Sequence, residues 1–269
     1  MAVLDLSLHS YQLAMDTQVC MILPERRGVP QVSRDGKPFP VLYLLHGHSR
    51  DHTSWLRMSR IEYYVANTDL IVVMPNGNRG CFVDGRATHQ YGTYLTEELP
   101  VILKNWFNIS PRREDTYIAG LSMGGYGALH AALSHPETYC AAAGLSSAIR
   151  LDQMELGPEA AARGLSVPPM EEIDRNFHNV FGPEEEYDNT EYSLKFLAKR
   201  LQESDGPKPR LLQLCGDDDP LLNQNEDFAA FMKRECPGLD HTYAVSPGVH
   251  NFDFWDREIV TALKFFGLL

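Results

Sequence analysis

Apolar and polar residues alternate from Val3 to Leu8, and the stretch from Gln18 to Leu23 is rich in β-formers, so the chain opens with two predicted strands. A polar segment with prolines and glycines follows from Pro24 to Pro40. Its Arg26, Arg27, Gly28, Pro30, Arg34, Asp35 and Gly36 read as a loop. The pattern then changes to continuous apolar runs, as expected of strands buried on both faces. These are Val41 to Leu45, Leu70 to Met74, Thr116 to Gly120, Arg210 to Gly216 and His241 to Val245.

Helical spacing fills the gaps between these runs. From Thr93 to Phe107, the residues Leu95, Leu99, Ile102, Leu103 and Trp106 share a face. Gly127 to Leu133 is rich in Ala and Leu, and Glu226 to Cys236 and Asp253 to Phe266 carry apolar stripes. Strand–helix alternation predicts a mostly parallel central sheet flanked by helices and joined by right-handed crossovers. Residues 151–201 break the rhythm with Glu, Pro, Gly and Asn around scattered aromatics such as Phe177, Phe181 and Tyr187. They are expected to form an excursion over the sheet, either a surface insertion or a lid over a pocket. No internal repeat is visible, and residues 1–269 are read as a single α/β domain.

Composition narrows the picture. A chain of 269 residues with 43% hydrophobic and 22% charged positions is ordinary globular material, which excludes disordered, collagen-like and coiled-coil classes. The net charge of −12 disfavours nucleic acid and anionic membranes as main partners. Five cysteines lie far apart with no C-x-x-C pair, so neither a disulfide framework nor a zinc knuckle is expected. Reduced thiols, no signal peptide in the first ten residues and no apolar run long enough to span a bilayer together predict a cytoplasmic location.

One motif carries chemistry. Gly120-Leu121-Ser122-Met123-Gly124 is a G-x-S-x-G between a predicted buried strand and an Ala-rich helix. The flanking glycines permit a sharp turn that aims the serine off the carboxyl edge of the sheet. The helix N-terminus behind it offers N–H groups to a developing oxyanion. A serine hydroxyl needs a base, and the base needs an orienting carboxylate. The order Ser, acid, His is available on strand-end loops. Asp217, Asp218 and Asp219 follow one strand, with Asp219 the preferred acid, and His250 follows the last and supplies the base. The loop after the first long apolar run, His46-Gly47-His48-Ser49, is placed to supply a second oxyanion donor. The backbone amides of His48 and Met123 are the expected pair. His46, His48 and His52 form an H-x-H-x3-H, but no carboxylate or cysteine completes a ligand set, so no metal is expected. Asp253 and Asp256 are expected to open the last helix, where negative charge suits the dipole.

These residues resemble the esterase D and tributyrin-esterase group of α/β-hydrolases, whose neighbours include S-formylglutathione hydrolases, feruloyl esterases and mycolyltransferase-type proteins. The likeness runs through Val41 to Gly47, Trp55, Val72 to Gly77, Glu98-Leu99 and Ile118 to Ala128. It ends with Gly216, Asp219, Leu221, Asn225, and Gly248 to His250 followed by Phe254-Trp255. It implies the α/β-hydrolase fold, Ser122 as nucleophile, His250 as base and no cofactor. A G-x-x-D-x-L pattern lands on Gly216, Asp219 and Leu221 and favours Asp219 over its neighbours. It implies that His48 is the oxyanion residue, and it is compatible with a homo-oligomer. The chain departs from the group at His48-Ser49-Arg50, where small or apolar residues are more usual.

The expectation is a serine carboxylesterase acting on small-molecule esters with short acyl chains through an acyl-enzyme. Trp55, Met123 and aromatics of the excursion are candidates for the acyl pocket. An S-formylglutathione thioesterase and a feruloyl or acetyl ester hydrolase share the machinery. An acyltransferase and a catalytically silent binding protein are the remaining alternatives.

Overall fold

A computed structural model describes residues 1–25, 36–150 and 170–269, with the Met170 side chain excepted. Most of the loop expected between Pro24 and Pro40, and residues 151–169 of the expected excursion, lie outside the described residues.

Among the described residues, eight strands form one sheet: β1 (Ala2–Ser10), β2 (Met15–Leu23), β3 (Val41–Leu45), β4 (Ile71–Pro75), β5 (Thr116–Leu121), β6 (Ala141–Leu145), β7 (Arg210–Gly216) and β8 (His241–Ser246). Their order is β1-β2-β4-β3-β5-β6-β7-β8. Strand β1 pairs antiparallel with β2, β2 pairs antiparallel with β4, and every other pair is parallel. The antiparallel edge strand β1 alternates partly buried and exposed residues, as one wet face requires, whereas β3 through β6 are buried throughout.

Those inner strands sort their side chains between two apolar layers. Val41, Tyr43 and Leu45 face one layer with the helices Met123–Ser134, Leu194–Glu203 and Leu222–Glu235. Leu42 and Leu44 face the other, with Trp55, Ile61, Val65 and the apolar stripe of the helix Phe252–Phe266. The helix Met123–Ser134 has no polar face because it is wedged between the sheet and the helix Leu194–Glu203.

Three elements differ from the sequence expectation. Strand β6, Ala-Ala-Ala-Gly-Leu, has no β-branched residue to announce it. Its small residues let the following layer approach closely: a Cβ on Gly144 would lie 3.0 Å from Leu129 Cδ1 and 3.2 Å from the Gly125 carbonyl. The helix expected from Thr93 to Phe107 is interrupted. A short helical turn, Tyr91–Thr93, runs into a π-helical turn, Tyr94–Glu98, and a regular helix resumes at Leu99–Trp106. Pro100 has no N–H to give the ladder there, which fits a local slip of register. The described part of the excursion is helical, with Met170–Phe181, Glu184–Tyr187 and Leu194–Glu203. Phe177, Phe181 and Tyr187 are each 2% exposed or less and pack on one another at centroid distances of 4.9 to 5.5 Å.

The connections decide where a ligand can sit. The chain leaves β3 for β4 on one side, and β5 then adds on the other side of β3. A crevice therefore opens at the carboxyl ends of β3 and β5.

Candidate active site

Ser122 stands at the turn between β5 and the helix Met123–Ser134, with φ 54° and ψ −118°. An L-residue pays for this conformation in strain. The surroundings hold it there: the Ser122 N–H donates to the Leu145 carbonyl at 2.8 Å, and its carbonyl accepts from Tyr126 at 3.1 Å and Ala148 at 3.0 Å. The two motif glycines are steric necessities. A Cβ on Gly120 would lie 2.2 Å from the Gly124 carbonyl oxygen, and one on Gly124 would lie 2.5 Å from that of His46.

His250 follows β8 and directly precedes Asn251, whose side chain caps the helix Phe252–Phe266 by accepting from the N–H groups of Asp253 and Phe254. Its Nδ1 lies 3.1 and 3.0 Å from the two carboxylate oxygens of Asp219. A carboxylate can only accept, so Nδ1 carries the proton. Nε2 then presents a lone pair to the Ser122 hydroxyl at 3.0 Å. Three residues separated by up to 128 positions thus form one hydrogen-bonded run.

Asp219 is 5% exposed. Burial pushes its carboxyl up, but the attraction and hydrogen bond of His250, the Leu221 N–H and the Ser146 hydroxyl outweigh it and hold the group below the usual carboxylate range. The Leu221 N–H reaches Oδ1 at 2.8 Å. Of the other two aspartates, Asp217 accepts the Gly248 N–H at 2.9 Å and so braces the loop that carries His250. Below the acid loop, Gln213 Nε2 donates to Asn225, and the Asn225 amide donates to the carbonyls of Ser147 and Leu221.

The turn after β3 closes with the Arg50 N–H on the Gly47 carbonyl at 3.1 Å. Gly47 sits against the Ser122 turn, since a Cβ there would be 3.6 Å from Ser122 Cβ. His48 follows Gly47 in that turn, and Met123 is the first residue of the helix after Ser122. The H-x-H-x3-H is not gathered for a metal. Both His46 nitrogens are occupied by backbone, with Nε2 accepting from Gly77 at 2.9 Å and Nδ1–H donating to Gly47 at 2.8 Å, while His52 faces Asp5 at 3.4 Å. Burial pushes His46 down to about 4. Burial, with Arg79 and His46 nearby, pushes His48 down to about 4 as well. Both rings are neutral near pH 7.

Trp55, expected in the acyl pocket, is 1% exposed. Its indole N–H donates to the Leu45 carbonyl at 2.9 Å and its ring meets Phe252 edge-on at 5.6 Å, so it supports the end of β3 from within the core. Asp253 lies in the first turn of the last helix, as expected. Asp256 instead accepts from the Arg60 N–H and Tyr64 hydroxyl and tethers the helix Ile61–Val65. Sequence reasoning assigned no role to Ser146 or Trp255. Ser146 follows β6, whose small residues give no strand signal, and Trp255 enters the sequence pattern only through the Phe254-Trp255 likeness, with no role attached.

A doubly wound sheet with a Ser-His-Asp run at its strand ends defines an α/β-hydrolase-fold serine hydrolase. The model of the Esterase family, described as "Putative esterase", matches residues 10–266, and the chain belongs to that family. Similar proteins share its whole length. An acetyl esterase of Caldicellulosiruptor saccharolyticus is 28% identical over 267 residues, spanning 98% of this chain and 97% of that protein. Among solved structures, FphF, a fluorophosphonate-binding serine hydrolase of Staphylococcus aureus, is 28% identical with a TM-score of 0.84, covering 98% of both chains. The S-formylglutathione hydrolase FrmB of the same organism is 29% identical with a TM-score of 0.79, again covering 98% of both. The chain is a carboxylic ester hydrolase.

Proposed function

We propose that the protein hydrolyses short-chain acyl esters through an acyl-enzyme, with Ser122 as nucleophile, His250 as general base and Asp219 as the orienting acid. The hydrogen-bonded run from Ser122 through His250 to Asp219 carries this reading. His250 takes the Ser122 proton through Nε2 as Oγ attacks the ester carbonyl. The imidazolium so formed sits against an anionic carboxylate already held in place. The His48 and Met123 amides receive the oxyanion, and removing one such donor commonly costs about 10²–10³ in kcat. The imidazolium then protonates the leaving alcohol. Water, activated by the same imidazole, releases the acid and free enzyme. Every step uses side chains and amides of this chain.

The whole-length likeness to an acetyl esterase supports a small acyl group. The comparable likeness to an S-formylglutathione hydrolase supports a thioester of a short acyl group as the second reading. Residues 151–201 are proposed to help set pocket depth, and Trp55 to act on it through the β3 end that it supports. Five unpaired thiols, four of them buried, support a cytoplasmic setting. The family likeness supports a homo-oligomer, which light scattering reads directly.

The test is kcat/KM for p-nitrophenyl esters from acetate to decanoate, beside S-formylglutathione and methyl ferulate. A maximum between acetate and butyrate is expected. A clear preference for S-formylglutathione would move the substrate to the second reading, and loss of no activity in Ser122→Ala would overturn the mechanism.

A further inference from the structure

Ser146 is fully buried at the carboxyl end of β6, next to the catalytic run but outside it. Its backbone is held in the left-handed region at φ 47°, where a side chain is strained. Its N–H continues the ladder to β7 by donating to the Leu214 carbonyl at 2.7 Å. Two residues on, Ala148 donates to the Ser122 carbonyl at 3.0 Å. One tight turn therefore grips the nucleophile through its backbone.

The same turn reaches the acid through a side chain. The Trp255 indole N–H lies 3.0 Å from Ser146 Oγ. An indole nitrogen only donates, so Ser146 Oγ accepts there and its own proton is free for another acceptor. The Ser146 hydroxyl is among the groups that hold the Asp219 carboxyl below its usual range, so the proton is directed to that carboxylate. Trp255 also sets the edge of its ring against His250, with centroids 4.9 Å apart and planes at 87°. Trp255, Ser146, Asp219 and His250 thus close a ring of contacts in which each member touches the next.

We propose that Ser146 and Trp255 are positioning residues for the acid–base pair: Trp255 orients the Ser146 hydroxyl onto Asp219 while its ring holds the His250 imidazole over Ser122. The inference rests on the Ser122–His250–Asp219 reading above. Neither residue touches the reacting atoms. Their effect is on how well the carboxylate is aimed and how strongly it holds the imidazolium in the transition state. Leu221 N–H supplies Asp219 with one donor and Ser146 supplies another. A hydrogen bond to an ionised group is among the stronger kinds, and its loss is felt where charge develops on His250.

Ser146→Gly separates positioning from folding. Glycine adopts a positive φ without strain, which offsets part of the cost of leaving the Trp255 indole N–H without its acceptor, so this variant is expected to fold and to melt within a few degrees of wild type while lacking the hydroxyl. Its kcat on p-nitrophenyl acetate is expected to fall about ten-fold or more, with KM within about two-fold of wild type. The low-field proton resonance of the His250 Nδ1–H is expected to shift or broaden. Trp255→Phe keeps an aromatic ring at this position but removes the indole N–H, and is expected to lower kcat in the same direction by a smaller factor. The double variant should lose less than the product of the two single losses, because both act through Asp219. Ser122→Ala is assayed in parallel. A folded Ser146→Gly with wild-type kcat and an unmoved resonance, beside an inactive Ser122→Ala, would overturn this inference alone. Full activity in Ser122→Ala would overturn the serine mechanism and this inference with it.

Discussion

Gly77 donates its backbone N–H to Nε2 of His46 at 2.9 Å, and so joins the loop after β4 to the end of β3 beside the nucleophile turn. The other ring nitrogen is spent on the Gly47 carbonyl at 2.8 Å, and the ring is 1% exposed with Phe82 against it at 5.2 Å. A protonated imidazole would lose its acceptor here. His46 is therefore a structural element of the turn after β3 and holds it only in the neutral form.

That arrangement predicts a pH dependence of stability. Burial is the largest cause that pushes His46, His48, His130 and His241 each down to about 4. In the unfolded chain these groups titrate near 6.5. Between the two values the unfolded chain binds protons that the folded one refuses, so stability rises with pH in this window. The contribution is complete above about pH 6.5 and is lost as pH falls toward 4, at up to about 1.4 kcal/mol per pH unit for each group. Urea midpoints measured at pH 7.5, 5.5 and 4.5 should fall in that order. His46→Gln should shallow the slope by about one proton, and a flat profile would contradict the account.

Asp219→Asn is expected to leave the fold intact and to lower kcat by about 10⁴, with little change in KM. The amide can donate to His250, which favours the tautomer with its proton on the wrong nitrogen. Steady-state kinetics on p-nitrophenyl acetate reads the outcome. A loss below ten-fold would mean that another carboxylate orients the base.

The strain at Ser122 predicts an order of stability. Ser122→Gly and Ser122→Ala both remove the nucleophile, and only glycine relaxes the φ of 54°. The glycine variant should be more stable than the alanine variant by about 1 kcal/mol, and both should fail to react with a fluorophosphonate probe. Thermal melts at one protein concentration decide it. Equal melting temperatures would show that the turn stores no strain.

Gly124 makes the steric demand of the motif testable. An alanine there would place Cβ 2.5 Å from the His46 carbonyl oxygen and 2.6 Å from that of Leu45, both backbone atoms that cannot swing aside. Gly124→Ala is expected to lose roughly 2 kcal/mol or more of stability, and kcat with it, as the helix N-terminus is forced off the β3 end. Gly206→Ala is the control: its Cβ would meet only Ser204 Oγ at 3.7 Å, and it should change stability by less than about 0.5 kcal/mol.

Local pattern was enough for much of this protein. Continuous apolar runs marked β3, β4, β5 and β7, because a strand covered on both faces has no polar side to interrupt it. Gly120, Ser122 and Gly124 announced the nucleophile turn, since the chemistry leaves few residues able to make that bend. Ser122, Asp219 and His250 were legible as types on strand-end loops, each already tied to its own stretch of chain. Tertiary structure decided what depends on neighbours distant in sequence. Ala141–Leu145 is a strand because β5 and β7 lie on either side of it and a helix presses on its small residues, none of which local propensity records. Trp55 turned inward to the Leu45 carbonyl because an indole N–H that is buried must find an acceptor. Ser146 Oγ took the Trp255 indole N–H from 109 positions away, a pairing that depends on how β6 and the last helix pack and that no local pattern records.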